Sequence, residues 1–82
     1  MLKYLVYVIK SEENRYYIGF TADIEIRLSQ HNSGLSRWTK QYKNWKVIYT
    51  KNFENITDAR KWELYLKKQK GGNGFKKEIG IL

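Results

Sequence analysis

Two apolar runs separated by a short polar turn open the chain. Residues 4–9 are almost entirely β-branched or aromatic, which is typical of a central strand covered on both faces. Residues 11–14 are polar, and a second run of the same kind follows at residues 15–20. Two such strands joined by a short polar turn predict a β-hairpin.

The apolar spacing then lengthens to that of a helix. Three residues recur at i, i+4 and i+7, namely Ile24, Leu28 and His31. Thr21 or Asp23 is expected to cap the start of this helix, and the Ser-Gly pair at residues 33–34 is expected to end it. Residues 35–46 are basic and rich in aromatic side chains, which predicts a loop, and residues 45–51 are predicted to form a third strand.

The C-terminal part of the chain is predicted to be helical. A second helix is expected to begin at Thr57 or Asp58 and to end near Lys70. Residues 71–74 contain three glycines and are expected to break it, and residues 75–82 are predicted to form a short last helix. The order β-β-α-β-α(-α) predicts an α+β fold in which helices flank a small three-stranded antiparallel β-sheet.

Composition limits the chemistry open to this 82-residue chain. Hydrophobic residues make up 41%, enough for one compact core, so residues 1–82 are expected to form a single domain. The chain has no Cys, which excludes disulfides, zinc fingers and thiol nucleophiles. Its only His is His31, which excludes a metal site built on several imidazoles. Any metal is therefore expected to have oxygen ligands.

The charge balance indicates a polyanionic partner. Sixteen Lys and Arg against eight Asp and Glu leave a net charge of +8. Nucleic acid is the leading candidate, an anionic membrane surface is an alternative, and a third interpretation is that the charge only keeps the protein in solution. No apolar run approaches the roughly 18 residues of a membrane span, and the N-terminal stretch lacks a small-residue cleavage site. These features predict a cytoplasmic protein that does not bind membranes.

A carboxylate interrupts the apolar face of the second predicted helix. At the helical period, Glu63 falls among Ile56, Ala59 and Leu66. A carboxylate on a core-facing stripe is costly unless it is paired, protonated or bound to a metal. The alternative is that the helix phase is slightly misjudged and Glu63 is solvated at the edge of the stripe.

Two further pairs are candidates for chemistry. Arg27 and His31 are i, i+4 neighbours beside the apolar stripe of the first helix, where they either cover apolar surface or hold an anion. Tyr7 and Tyr17 lie on the two strands of the predicted hairpin, and antiparallel pairing places them near one another. They are either core residues or part of a cluster of two phenols, a guanidinium, an imidazole and a carboxylate.

The spacing of these residues carries a family resemblance. Residues 5–7 are Leu-Val-Tyr and residues 17–19 are Tyr-Ile-Gly; Arg27 follows the second tyrosine by ten residues and His31 follows by four more, with Glu63 on a later helix. This series resembles the GIY-YIG nuclease superfamily, and in particular its small standalone bacterial members. The resemblance covers nearly the whole chain. Its departure is that a leucine replaces the glycine of the first motif.

The resemblance implies a metal-dependent endonuclease that hydrolyses DNA phosphodiester bonds. By analogy, Glu63 would hold a single Mg²⁺ or Mn²⁺ ion, and Arg27 would bind the scissile phosphate. One tyrosine, Tyr7 in preference to Tyr17, would activate the attacking water. Tyr17 and His31 would assist by orienting the water or by a second proton transfer. Such an enzyme would act in DNA repair or recombination.

The expected partner is DNA in single-stranded, branched or damaged form. The residues expected to contact it carry positive charge or stacking surface: Arg27, Arg37, Trp38, Lys40 and Lys43. The alternative is a solvated basic loop with Trp38 packed inward. The protein is expected to act as a monomer or a weak homodimer.

Two competing functions stay open at the level of sequence. The first is a basic domain that binds nucleic acid without cutting it, which the replaced motif glycine at Leu5 favours. Phe20 favours it too, because the excision-repair members carry a lysine at that position. The second is an interaction module that docks on an acidic protein or a membrane. The second function would leave the spacing of the motif residues a coincidence.

Overall fold

Residues 4–34, 39–70 and 73–80 are described by a computed structural model of the chain. The elements follow one another as β1 Tyr4–Lys10, β2 Tyr16–Thr21, α1 Ile24–Asn32, a 3₁₀ turn Thr39–Gln41, β3 Lys46–Phe53, α2 Ile56–Gln69 and α3 Asn73–Glu78. The three strands form one antiparallel sheet in the order β2-β1-β3. The predicted α+β fold and its β-β-α-β-α(-α) order are confirmed.

Strand β1 lies at the centre of the sheet, and helices cover it on both sides. Val6 and Val8 point to one face, where they join a core cluster with residues of α2 and α3. Tyr7 and Ile9 point to the opposite face, where they pack with Trp45 and the apolar residues of α1. All four β1 side chains are at most 1% exposed. The apolar run at residues 4–9 therefore does form a strand buried on both faces, as predicted.

Side-chain caps fix where the helices begin. The Asp23 carboxylate accepts hydrogen bonds from the backbone N–H groups of Glu25 and Ile26, both at 3.1 Å, so Asp23 is the cap of α1. Asn55 does the same for α2, because its Oδ1 accepts from the Asp58 N–H at 2.8 Å. The predicted start of the second helix at Thr57 or Asp58 is therefore wrong, and α2 begins at Ile56.

Two other predicted boundaries move by one or two residues. The last helix begins at Asn73 and includes Gly74, so its predicted start at residue 75 is wrong. Strand β3 begins just after Trp45 and continues two residues beyond the predicted end. Residues 71–72 and 81–82 lie outside the described residues. In the described part of the chain, no helix combines the length and the apolar character that a membrane span requires.

Candidate active site

The phenol of Tyr7 passes over a glycine on the neighbouring strand. Tyr7 on β1 pairs directly with Gly19 on β2, so both residues face the same side of the sheet. A methyl group at Gly19 would lie 2.7 Å from Tyr7 Oη and 2.9 Å from Tyr7 Cζ, well inside van der Waals contact. The phenol occupies the volume that a side chain at Gly19 would fill. Glycine is thus required here for space.

Three rings converge on this face of the sheet. The ring centres of Tyr7 and Tyr17 are 6.3 Å apart, and that of His31 lies 4.8 Å from Tyr17. Tyr17 belongs to β2, two residues before Gly19, and His31 projects from the C-terminal part of α1. The predicted proximity of the two tyrosines is confirmed, and the imidazole joins them.

His31 connects the strand to the loop that follows α1. Its Nε2 lies 2.9 Å from Tyr7 Oη, and its Nδ1 lies 2.7 Å from Thr39 Oγ1. His31 is 1% exposed and Thr39 is fully buried. The sequence analysis did not identify Thr39, because its side chain carries no charge and it sits in a segment assigned to DNA binding. Only the structure shows that it contacts the imidazole.

Burial keeps His31 neutral. The loss of solvation lowers the pKa of His31 from 6.5 to about 4, and the nearby positive charge of Arg27 lowers the pKa further in the same direction. At neutral pH the ring therefore carries one proton, on either Nδ1 or Nε2. It is available as a hydrogen-bond donor at one nitrogen and as an acceptor at the other.

The free energy of unfolding is expected to depend on pH through His31. Between pH 6.5 and about 4 the unfolded chain binds a proton that the folded chain does not, so acidification across this window favours unfolding. At about 1.4 kcal/mol per pKa unit, the loss is about 3 kcal/mol. Urea denaturation from about pH 7 to about pH 4 measures it. A His31→Gln variant shares every carboxylate titration but lacks this one, so a parallel decline in both proteins would contradict the assignment.

Arg27 lies beside both phenols. Burial would lower the pKa of Arg27, but the neighbouring Tyr7 and Tyr17 raise it above its usual value. In turn, burial first and then Tyr17 raise the pKa of Tyr7 to about 12, and Arg27 acts in the opposite direction. Its guanidinium also donates to Gln30 Oε1 at 2.8 Å. Tyr7 is thus a phenol at neutral pH, with a fixed positive charge beside it.

Glu63 is a buried carboxylate on the inner face of α2. It is 7% exposed, with Ala59 and Leu66 buried on the same face. The interpretation that placed Glu63 in solvent at the edge of the stripe is therefore wrong. Ile56, which was assigned to this face, is 46% exposed and lies outside it. The charge of Glu63 contributes to the raised pKa of Tyr7, which places the carboxylate within electrostatic range of the phenol.

The contacts of Glu63 bear on its use as a metal ligand. Its Oε2 lies 3.2 Å from Lys67 Nζ, and its Oε1 lies 3.8 Å from Arg60 Nε. Among the described residues, no group of three or more His, Asp or Glu side chains converges as a metal site would. Mg²⁺ commonly uses one or two carboxylates and takes its other ligands from water and phosphate. A single buried carboxylate fits that ion, provided that the ion replaces the nearby cations.

The predicted DNA-binding residues separate into two places. Arg27 belongs to the cluster around Tyr7, whereas Lys40 and Lys43 are exposed and line an open cavity of about 900 Å³. This cavity lies between the β1–β2 turn, the end of α1 and the segment before β3. Lys10 and Lys46 line it as well, and sequence reasoning did not single them out. Arg37 and Trp38 lie outside the described residues.

One residue joins this basic cavity to the cluster. His31 lines the cavity on one side and contacts Tyr7 on the other. The two tyrosines, Arg27 and Glu63 do not line it. Four lysines around an open cavity form a surface suited to a phosphate backbone, next to but distinct from the clustered rings.

Comparison with known proteins places this arrangement in a family. Residues 3–77 match the family model of the GIY-YIG catalytic domain. A UPF0213 protein of Listeria welshimeri is 37% identical over 67 residues, which cover 80% of this chain and 74% of the relative. A UPF0213 protein of Staphylococcus haemolyticus is 31% identical over 68 residues, covering 82% and 83% of the two chains.

A solved structure shares the fold. The solution NMR structure of the UPF0213 protein BH0048 from Bacillus halodurans superposes with a TM-score of 0.50 at 26% sequence identity, covering 79% of this chain and 70% of that one. The family match spans β1 to α3 and contains both tyrosine motifs, Arg27, His31 and Glu63. The chain belongs to the GIY-YIG catalytic domain family, and the UPF0213 proteins of bacteria are its homologues.

Proposed function

We propose that this protein is a metal-dependent endonuclease that hydrolyses phosphodiester bonds in DNA. The observation that supports it most is the convergence of Tyr7, Tyr17, Arg27 and His31 on one face of the sheet, within electrostatic range of the buried Glu63. Membership of a family with a nuclease-type fold points to the same chemistry.

Arg27 is the phosphate-binding group in this proposal. Its guanidinium is charged at every physiological pH, and its planar array of donors matches two phosphate oxygens. Its position beside both phenols places a bound phosphate next to the group that would activate water. Charge neutralisation at the phosphate lowers the barrier to attack by hydroxide.

Tyr7 is the group proposed to take the proton from the attacking water. A phenol whose pKa is about 12 is a weak candidate unless positive charge favours its ionised form. Arg27 supplies one such charge permanently. Glu63 would hold a divalent ion, which when bound supplies a second positive charge and neutralises the phosphate. Tyr17 and His31 orient the water and the Tyr7 oxygen.

DNA is the proposed substrate because of the charge and shape of the surface beside the site. The net charge is +8, and the cavity next to His31 is lined by Lys10, Lys40, Lys43 and Lys46. Contacts of this kind bind backbone phosphates with little dependence on base sequence. The preferred substrate is therefore defined by strand structure, such as single-stranded or branched DNA.

Metal removal tests the proposed function. Supercoiled plasmid and single-stranded, branched and duplex oligonucleotides are incubated with the protein and Mg²⁺ or Mn²⁺, and then with EDTA. We expect nicking with the metal and none with EDTA. Binding of the same oligonucleotides without cleavage under either metal would overturn the proposal.

A domain that binds nucleic acid without cutting it is the second candidate. It is favoured by the ion pairs of Glu63 with Lys67 and Arg60, which occupy the carboxylate that a metal would need. It is favoured also by the high pKa of Tyr7. The cleavage assay separates the two candidates, because both predict salt-sensitive binding and only the first predicts nicks.

A further inference from the structure

Thr39 is the outer partner of the buried imidazole. The distance of 2.7 Å between Thr39 Oγ1 and His31 Nδ1 is the shortest of the hydrogen bonds that His31 makes. Thr39 is fully buried, and within the described residues its hydroxyl has His31 Nδ1 as its hydrogen-bond partner. A threonine in this position has no packing requirement for a hydroxyl that valine would not meet.

The backbone around Thr39 is held firmly against α1. The Trp45 indole Nε1–H donates to the Thr39 carbonyl at 3.0 Å. The Asn32 side chain brackets Trp45, since its Oδ1 accepts from the Trp45 backbone N–H at 2.8 Å and its Nδ2 donates to the Trp45 carbonyl at 3.2 Å. Asn32 follows His31 directly on α1. The hydroxyl of Thr39 is therefore placed on Nδ1 by a frame that begins on the same helix.

The direction of this hydrogen bond decides which nitrogen of His31 carries the proton. If Nδ1 carried it, Nδ1–H would donate to Thr39 Oγ1 and the buried hydroxyl proton would have no acceptor among the described residues. If Nε2 carries it, the Thr39 hydroxyl donates to Nδ1 and no donor is left unpaired. Unpaired buried donors are costly, so the second arrangement is favoured.

We propose that Thr39 is a positioning residue that donates to His31 Nδ1 and thereby fixes the tautomer whose Nε2–H donates to Tyr7 Oη. Its consequence for catalysis rests on the proposed nuclease function. A phenolate oxygen at Tyr7 accepts hydrogen bonds from His31, from Arg27 and from the attacking water at the same time. The opposite tautomer would offer Tyr7 an acceptor and would favour the neutral phenol, which is not a base.

The tautomer is measured directly by NMR. Because His31 is the only histidine, a sample labelled with ¹⁵N-histidine gives one pair of ring nitrogen signals. In a neutral imidazole the protonated and unprotonated nitrogens have well-separated shifts, and their couplings to the ring hydrogens identify each. At neutral pH we expect the proton on Nε2 in the wild type. A proton on Nδ1 would overturn the proposal, whether or not the protein cleaves DNA.

Two substitutions of one residue separate positioning from packing. Thr39→Val keeps the shape and removes the donor, so we expect the tautomer to shift toward Nδ1–H. Thr39→Ser keeps the donor and should retain the Nε2–H tautomer. Thr57→Val, at an exposed position on α2, is the matched control. An unchanged tautomer in Thr39→Val would overturn the proposal, and if that variant does not fold, the wild-type spectrum decides.

Cleavage gives the functional readout. The rate of nicking is expected to fall about 10- to 100-fold in Thr39→Val, the range typical when the hydrogen-bond partner that orients a ligating imidazole is removed. Thr39→Ser should restore most of it, while DNA affinity stays unchanged in both. Equal losses in the Ser and Val variants would contradict the positioning role. If no variant cleaves DNA, including the wild type, the proposed function fails while the tautomer result stands independently.

Discussion

Glu63→Gln is expected to reduce metal-dependent cleavage by about a thousandfold or more, since the carboxylate is the proposed ligand of the divalent ion and that ion supplies several kcal/mol at the transition state. The amide keeps the shape of the side chain and removes its charge. Fold and DNA affinity should be retained, because loss of a negative charge does not weaken phosphate contacts. Nicking rates and binding curves on the same oligonucleotide measure both.

The matched control for this substitution is Glu54→Gln. Glu54 is exposed between β3 and α2, so its variant makes the same change of charge outside the site. The ion pairs that Glu63 loses, with Lys67 and Arg60, involve half-exposed or more exposed partners and contribute less than about 1 kcal/mol. Wild-type cleavage by a folded Glu63→Gln protein would show that the carboxylate serves the helix alone.

Tyr7→Phe is expected to reduce the cleavage rate by about 10²- to 10⁴-fold, the range of a lost general base. The phenyl ring still fits over Gly19, so the change is confined to the oxygen that faces His31 and Arg27. Single-turnover cleavage at saturating DNA measures the chemical step without the contribution of binding.

Tyr4→Phe is the natural control, because Tyr4 lies on the same strand but packs against the other core cluster. Its cleavage rate should match that of the wild type. Tyr17→Phe should lose less activity than Tyr7→Phe, since Tyr17 is only half-buried and is assigned an orienting role. If the loss at Tyr17 is the larger, the roles of the two phenols are reversed.

The parts of the fold that follow from hydrophobic pattern were predictable. Residues 6–9 are buried on both faces of the sheet, and this is why the run carries no polar alternation. The burial of Glu63 follows from the helical period that places it with Ala59 and Leu66. The grouping of Tyr7 with Tyr17 follows from antiparallel pairing across a four-residue turn.

What the sequence did not reveal depends on local competition and on tertiary contact. Asn55 lies upstream of Thr57 and Asp58, and all three are acceptable caps, so residue type alone does not select among them. The Gly74 position is helical because Phe75, one residue on, is anchored in the core. Thr39 is meaningful only because the Trp45 and Asn32 contacts carry it to the imidazole.

Tyr7 and Gly19 share one volume across a pair of strands, and neither position is free to change without the other. Any side chain at residue 19 would push the phenol off the sheet and break its contact with His31. The glycine carries no functional group, yet the position of the proposed base depends on the atoms that it lacks. In an evolutionary or design setting, the pair is inherited as a single steric unit in which an empty site on one strand holds the reactive oxygen of the next.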